Sequence, residues 1–352
     1  MSNNALLTKL GIELPIIQAP MAGGPSTPEL VAAVSNAGGM GSLGGAYCTP
    51  EQIREEIRKT RALTQRPFAV NLFAGGFQDK KEVDPEPMLE LLGEIHHLLG
   101  IPAPALPPAP ANPFPKQFEA VLESRPAVFS FTFGIPDKSD LKRARVAGIA
   151  IIGTATVVEE ARLLAEAGVD AIVAQGAEAG AHRGTFAGPF ESSMVPTLDL
   201  VHAIARAVPV PVIASGGLMD GRDIAAALRA GASAVAMGTA FLACPESGAS
   251  EPYKRAILAA GQDTTVITRA FSGRPARGLV NAWIEKTKER EDAILPYPLQ
   301  NALTRAMRTA AAKAGEAGYL SLWAGQGVAR ARSMPAGDLV RRLMQEVNSA
   351  AA

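Results

Sequence analysis

Residues 166–176 read Glu166-Ala-Gly-Val-Asp-Ala-Ile-Val-Ala-Gln-Gly176, and residues 229–239 read Arg229-Ala-Gly-Ala-Ser-Ala-Val-Ala-Met-Gly-Thr239. Each segment leaves a helix, turns at glycine, runs through a short apolar strand and ends on glycine or its neighbour. Neither strand alternates apolar with polar residues, as expected for a strand covered on both faces. Working outward, the same signature places eight strands at 16–18, 40–43, 68–72, 128–132, 150–153, 171–174, 212–214 and 234–237. Between them lie amphipathic helices with explicit ends. Thr27-Pro28-Glu29 and Thr49-Pro50-Glu51 each supply a cap, a first-turn proline and an acid. Thr156 with Glu159 reads as a capping box, and Asp220 opens a helix that stops at Gly231. Eight repeated βα units favour a closed, parallel (β/α)8 TIM barrel over the alternative, an open doubly wound sheet.

The barrel is expected to occupy residues 1–247, with a proline-rich excursion at 74–125. One helix is expected there at 87–99; prolines 102, 104, 107, 108, 110, 113 and 115 then argue against a helix or central strand. After Gly248 the strand pattern stops, and helices are expected at 251–260, 301–314, 319–332 and 335–348. Residues 248–334 are read as a mainly helical cap over the barrel mouth, and 335–352 as a C-terminal helix packing on the barrel.

Composition narrows the class. The 352 residues are 47% hydrophobic and 19% charged, with Lys+Arg and Asp+Glu both at 34. A net charge of zero argues against nucleic acid or an anionic membrane as partner. The two cysteines, Cys48 and Cys244, form no disulfide framework or zinc pattern, so no metal is expected. No signal peptide and no membrane-spanning run is visible, so a cytoplasmic location is expected. Oligomeric state is left open.

In such barrels chemistry sits at the C-terminal ends of the strands. Those ends collect Ala19, Pro20 and Met21 after the first strand, Asn71 at the third, Gln175 to Gly184 at the sixth, Ser215-Gly-Gly217 at the seventh, and Met237-Gly-Thr239 at the eighth. Glycines 216, 217 and 238 let backbone N–H groups approach an anion, with Thr239 and the positive end of the following helix adding to them. The seventh and eighth loops are where barrels usually hold phosphate; tight-turn glycine is the plain alternative. FMN, a sugar phosphate or a nucleotide would fit. The side-chain amides of Asn71 and Gln175 suit a flavin pyrimidine edge, or else a neighbouring loop backbone. His96, His97 and His202 fall in expected helices as surface residues. His182 instead sits in a glycine-rich loop beside Arg183, with an ordinary pKa near ~6.5 suited to proton abstraction.

The runs Ile17-Gln-Ala-Pro-Met21, Ala33-Val-Ser-Asn-Ala-Gly-Gly39, Asn71-Leu-Phe73, Ser130-Phe-Thr-Phe-Gly134, Ala174-Gln-Gly-Ala-Glu-Ala-Gly-Ala-His-Arg-Gly184, Gly216-Gly-Leu-Met-Asp-Gly221 and Met237-Gly-Thr-Ala-Phe241 resemble the nitronate monooxygenases. Phe271-Ser-Gly-Arg274, Ala276-Arg-Gly-Leu279 and Trp323-Ala-Gly-Gln-Gly327 agree, so the likeness covers nearly the whole chain. The resemblance implies an FMN-dependent oxidation of alkyl nitronates by molecular oxygen to a carbonyl compound and nitrite; use of neutral nitroalkanes is left open. It implies His182 as base, and Ala19, Pro20, Met21, Asn71, Gln175, Gly180, Gly216, Gly217, Ala236, Met237, Gly238 and Thr239 at the cofactor. Two residues depart from the family pattern: Ala181 replaces a second glycine, and Ala236 replaces a glutamine. Tyr253 and Tyr297 are candidate pocket members. An NAD(P)H-dependent flavin reductase of enoyl-thioesters or quinones on the same barrel is the alternative; a flavin-free lyase or isomerase is a further one.

Overall fold

A computed structural model describes residues 4–76, 83–108 and 111–351. Eight parallel strands form the central sheet: β1 (Ile16–Gln18), β2 (Ser42–Gly44), β3 (Ala69–Phe73), β4 (Val128–Thr132), β5 (Ala150–Ala155), β6 (Ala171–Gln175), β8 (Val212–Ser215) and β9 (Ala234–Met237). The remaining early strand, β7 (Ala181–His182), belongs elsewhere. The order β1-β9-β8-β6-β5-β4-β3-β2 closes through Met40, which bridges Ile17 in parallel, so the sheet is a barrel. The expected second strand began at that bridge; its regular ladder starts at Ser42.

Side chains two residues apart point the same way along a strand, so each strand carries an inward ladder. Its lower rungs are apolar: Ile17, Met40, Ala69, Val128, Ile152, Ala171, Ile213 and Ala234 fill the barrel, and Leu6 and Leu10 of the helix Ala5–Leu10 plug its base. One step further on, the rungs become Asn71, Ser130, Thr154, Val173, Ser215 and Ala236, and these face an open cavity. The strand sequence therefore sets both the sealed end and the reactive end.

The caps at Thr27, Thr49 and Asp220 form as expected. Thr156 does not cap its helix. Its N–H and hydroxyl instead donate to Glu160, which is fully buried and also accepts from the N–H groups of Phe186 and Ala187. A carboxylate with that many donors is better satisfied inside than at a frayed helix end.

The excursion holds two helices, Glu86–Leu98 and Phe114–Ser124, where one was expected. Pro113 and Pro115 do not prevent the second; they open it, because a first-turn proline sacrifices no helical hydrogen bond. Pro110 lies outside the described residues. The first helix joins the chain beyond 265 in a second core, where Met88, Leu92 and Ile95 pack with Phe271, Trp283, Leu295 and Met307.

Beyond 248 the helices expected at 251–260 and 335–348 form, as Glu251–Ala259 and Ala336–Ala351, but the expectation that strands stop there is corrected by two strands, β10 (Thr265–Thr268) and β11 (Ala276–Leu279). Together with β7 they make an antiparallel sheet in the order β10-β11-β7. Residues 301–314 split into Leu299–Leu303 and Arg305–Ala314, and 319–332 holds no α-helix, only 3₁₀ segments at Ala317–Tyr319 and Gln326–Arg330 and a bridge from Trp323 to Gly278. The terminal helix Ala336–Ala351 packs on Gly221–Arg229 and Pro28–Asn36. Among the described residues no helix is long and apolar enough to cross a membrane, and no cluster could hold a metal.

Candidate active site

The C-terminal ends of the strands open into a cavity of about 730 Å³. Every expected cofactor residue lines it: Ala19, Pro20, Met21, Asn71, Gln175, Gly180, Gly216, Gly217, Ala236, Met237, Gly238 and Thr239, with His182 beside them.

Their side chains are not equally free. Asn71 donates to Ser130 Oγ at 3.0 Å and has no partner for its own carbonyl among the described residues. Gln175 holds the loop after it, donating to the His182 carbonyl at 3.0 Å and accepting from Gly184 N–H at 2.8 Å. Thr239 Oγ1 accepts from Gly325 N–H at 2.9 Å, which leaves its own proton for the cavity. The helix behind it, Thr239–Leu242, is a single turn, so the expected dipole contribution shrinks to a few oriented N–H groups.

The glycines have different reasons. Gly216 (φ 132°) and Gly217 (φ 69°) are left-handed, and a Cβ on Gly216 would meet Thr197 Oγ1 at 2.5 Å. Tight packing alone requires them. Gly238 has ordinary φ, and a Cβ there would meet nothing closer than Ala19 at 3.8 Å. The chain does not itself require glycine at 238; an occupant of the cavity would.

His182 is held from both sides. Its backbone pairs with Ala276 of β11, and its Nε2 lies 2.8 Å from Ser272 Oγ. Rings of Trp323, Phe133, Tyr297 and Phe73 surround the imidazole at centroid distances of 5.6, 5.9, 6.0 and 6.4 Å. Ala181 (φ 63°) and Phe133 (φ 70°) are left-handed without being glycine, so both sides of the cage carry backbone strain. Burial in this cage, with Arg274 and Arg308 nearby, pushes the His182 pKa down to about 3. The expectation of an ordinary imidazole is thus corrected: the ring is neutral at physiological pH.

Arg183 does not face the cavity. It is buried and donates to the carbonyls of Gly176, Gln175 and Ser193, bracing the loop. His97 and His202 are exposed, but His96 is 2% exposed and bonded through Nδ1 to the Pro102 carbonyl. Tyr253 lines the cavity and donates to the Trp323 carbonyl.

Sequence reading missed the outer wall. Phe73 lies two residues beyond Asn71 on the same strand, and that spacing could have revealed it. Phe133, Ser272 and Trp323 lie in the family-like runs 130–134, 271–274 and 323–327, but nothing in those runs assigned them to the wall, and Arg308 had no local signal. Arg308 lines the cavity while donating to Asn301 and the Thr304 carbonyl.

Comparison with known proteins shows the family. The profile of the family described as nitronate monooxygenase matches residues 3–346. A probable nitronate monooxygenase of Staphylococcus aureus (strain MSSA476) is 42% identical over 348 residues, covering 99% of this chain and 98% of that protein. Its counterpart in Staphylococcus haemolyticus is 41% identical over 349 residues, covering 99% of this chain and 98% of that protein. Nitroalkane oxidase from Streptomyces ansochromogenes superposes with a TM-score of 0.91 at 42% identity, covering 98% of this chain and 99% of that one. FabK from Thermotoga maritima superposes at 0.78 with 29% identity, covering 100% and 98%.

Proposed function

This chain belongs to the nitronate monooxygenase family, and from that premise we propose that it binds FMN in the barrel mouth and oxidises alkyl nitronates with molecular oxygen to a carbonyl compound and nitrite. Neutral nitroalkanes are substrates as well, with His182 as the general base. The observation that carries this reading is an imidazole held by four aromatic rings and a serine hydroxyl at the edge of a polar-floored cavity.

The residues present fit a flavin mononucleotide. The N–H groups at Gly216, Gly217 and Gly238, with the Thr239 hydroxyl, suit a phosphate; the open space above Gly238 suits its close approach. Asn71, with its free carbonyl, and Gln175, with its remaining N–H, suit the polar edge of the ring. Ala19, Pro20, Met21, Gly180, Ala236 and Met237 supply small or apolar contact around it. When bound, the flavin supplies electron acceptance and reaction with oxygen.

The chain supplies the proton chemistry. A nitroalkane α-proton is acidic because the charge left behind moves onto the nitro oxygens. His182 accepts that proton; the electron pair of the broken C–H bond stays with the substrate as nitronate. The Arg274 and Arg308 charges that oppose an imidazolium would stabilise the anion formed beside it. The rings keep water from competing for the proton. A substrate supplied as nitronate needs no base.

The test has two stages. Cofactor released from purified protein is identified by chromatography, with FMN expected; FAD or no flavin overturns the cofactor assignment. Oxygen consumption by His182→Asn is then compared on both forms of one nitro compound. Activity on the neutral form is expected to fall ~10²–10⁴-fold while activity on the nitronate persists. Equal losses would remove the base role. Rapid anaerobic bleaching by NADH would instead favour a reductase.

A further inference from the structure

We propose that Ser272 is a positioning residue that fixes His182 in its Nε2–H tautomer, leaving Nδ1 as the atom that receives the substrate proton. The proposal rests on the reading of His182 as base.

Among the described residues Ser272 Oγ has three polar neighbours: His182 Nε2 at 2.8 Å, the Arg274 carbonyl at 3.1 Å and the Arg274 N–H at 3.3 Å. Ser272 is 1% exposed, which leaves little room for water to intervene. A hydroxyl has one proton and two lone pairs. The Arg274 carbonyl can only accept, so the proton belongs there; the Arg274 N–H can only donate, so it takes one lone pair. The second lone pair must meet a donor, and the remaining neighbour is His182. Nε2 therefore carries the ring proton. The opposite tautomer would turn the serine proton to the ring and set two oxygen acceptors, Oγ and the carbonyl, against each other, at the cost of a lost buried hydrogen bond.

Nδ1 has no hydrogen-bond partner among the described residues, and the ring lines the cavity. When Nδ1 takes the α-proton, a new N–H bond forms and the C–H pair remains on the substrate. Nε2–H continues to donate to Ser272 Oγ, now from a charged ring, and that bond strengthens. The hairpin that carries Ser272 also supplies β11, which pairs with the His182 backbone at Ala276. One loop thus sets the backbone position, ring orientation and tautomer of the same residue.

The experiment is a two-bond 1H–15N correlation spectrum of histidine-labelled holoenzyme at neutral pH, with His182 assigned by its absence in His182→Asn. A pyrrole-like Nε2 and a pyridine-like Nδ1 are expected for His182. His96 provides an internal contrast: its Nδ1 lies 2.6 Å from the Pro102 carbonyl, which can only accept, so it should show the reverse pattern. A pyridine-like Nε2 on His182 overturns the proposal. In Ser272→Ala, oxidation of a neutral nitroalkane should fall about 10- to 100-fold, the worth of one hydrogen bond to a charged group, with the preformed nitronate little affected. Ser272→Thr, which keeps the hydroxyl, should recover most of that loss. Equal loss on both substrate forms would make Ser272 merely structural and overturns the proposal. If Ser272→Ala fails to fold, the wild-type spectrum still decides. An Nε2–H signal in an enzyme that oxidises neither nitro form would instead refute the proposed reaction and leave the tautomer standing.

Discussion

The inner and outer halves of the cavity are made of different materials. The inner half is backbone, small side chains and hydroxyls at the ends of neighbouring parallel strands: Ala19, Asn71, Ser130, Thr154, Ser215 and Gly238. The outer half is large and cationic, with Tyr47, Phe73, Phe133, Trp323, Arg305 and Arg308 drawn from distant parts of the chain. A rigid barrel can present backbone donors without spending conformational entropy, so its half suits holding a cofactor. Bulky rings and arginines exclude water and set the local field, so theirs suits tuning His182. The residue that performs the proposed chemistry sits on the seam, in β7, which leaves the barrel to pair with the outer sheet.

That division can be broken from either side. The largest effect is expected from Gly217→Asp, an inner-half change. Left-handed φ costs an ordinary residue about 1–2 kcal/mol. The new Cβ also lies 2.9 Å from Glu178 Cβ, and the carboxylate would oppose a phosphate. Flavin should bind about 100-fold more weakly in a folded variant, read by titration of released cofactor. Full flavin retention would show that the phosphate lies elsewhere.

The seam itself is tested by Gly180→Ala. A Cβ there would meet backbone atoms of Ala324 and Gly325 at 2.6 Å, the strap that joins the halves. Overpacking of this kind costs about 1–3 kcal/mol, so Tm should fall by a few degrees. An unchanged Tm would mean the strap yields freely and the two halves are not tightly joined.

A pH test isolates the outer half. The His182 pKa falls from an ordinary value near ~6.5 to about 3 on folding. Between those values the unfolded chain binds the extra proton, so stability is present above ~6.5 and lost as pH falls toward 3. His182→Asn removes this dependence. Wild type should therefore lose more stability than the variant between pH 7 and about 4 in denaturant titrations of flavin-free protein. Parallel losses would mean the cage does not depress the imidazole.

The smallest effect is expected at Ala181, whose φ of 63° costs an alanine strain that glycine escapes. Ala181→Gly should gain about 0.5 kcal/mol net, after the extra entropy lost by glycine is subtracted, with activity kept. A loss of stability would show that the methyl contributes packing that outweighs the strain.

The glycine pattern that resembles the nitronate monooxygenases already marked Ala181 as a departure; the left-handed backbone supplies its physical meaning. Other features were equally local. Buried strands, capped helices, strand-end glycines and the His182 loop all lie within short stretches, where periodicity and turn chemistry act directly on neighbouring residues. The inward ladder that changes from apolar to polar along each strand follows from the same two-residue period. The second helix of the excursion was hidden because prolines that open a helix look, residue by residue, like prolines that forbid one. β11 was hidden because Ala276-Arg-Gly-Leu279 has neither alternation nor β-branching; its pairing is fixed by β7 and by Trp323 crossing Gly278. β10, Thr265-Val-Ile-Thr268, is β-branched throughout and carried a strand signal that a reading of this region as helical passed over.

The sequence by itself determined the barrel, its open end and which loop carries the histidine, because each depends on interactions between residues close in the chain. Only the tertiary structure decided the state of that histidine. Its neutrality, its cage and its serine partner come from residues 73, 133, 272, 274, 297, 308 and 323, up to 141 positions apart from it. Desolvation and charge act through space, and no local pattern records which distant side chains will arrive beside a given ring.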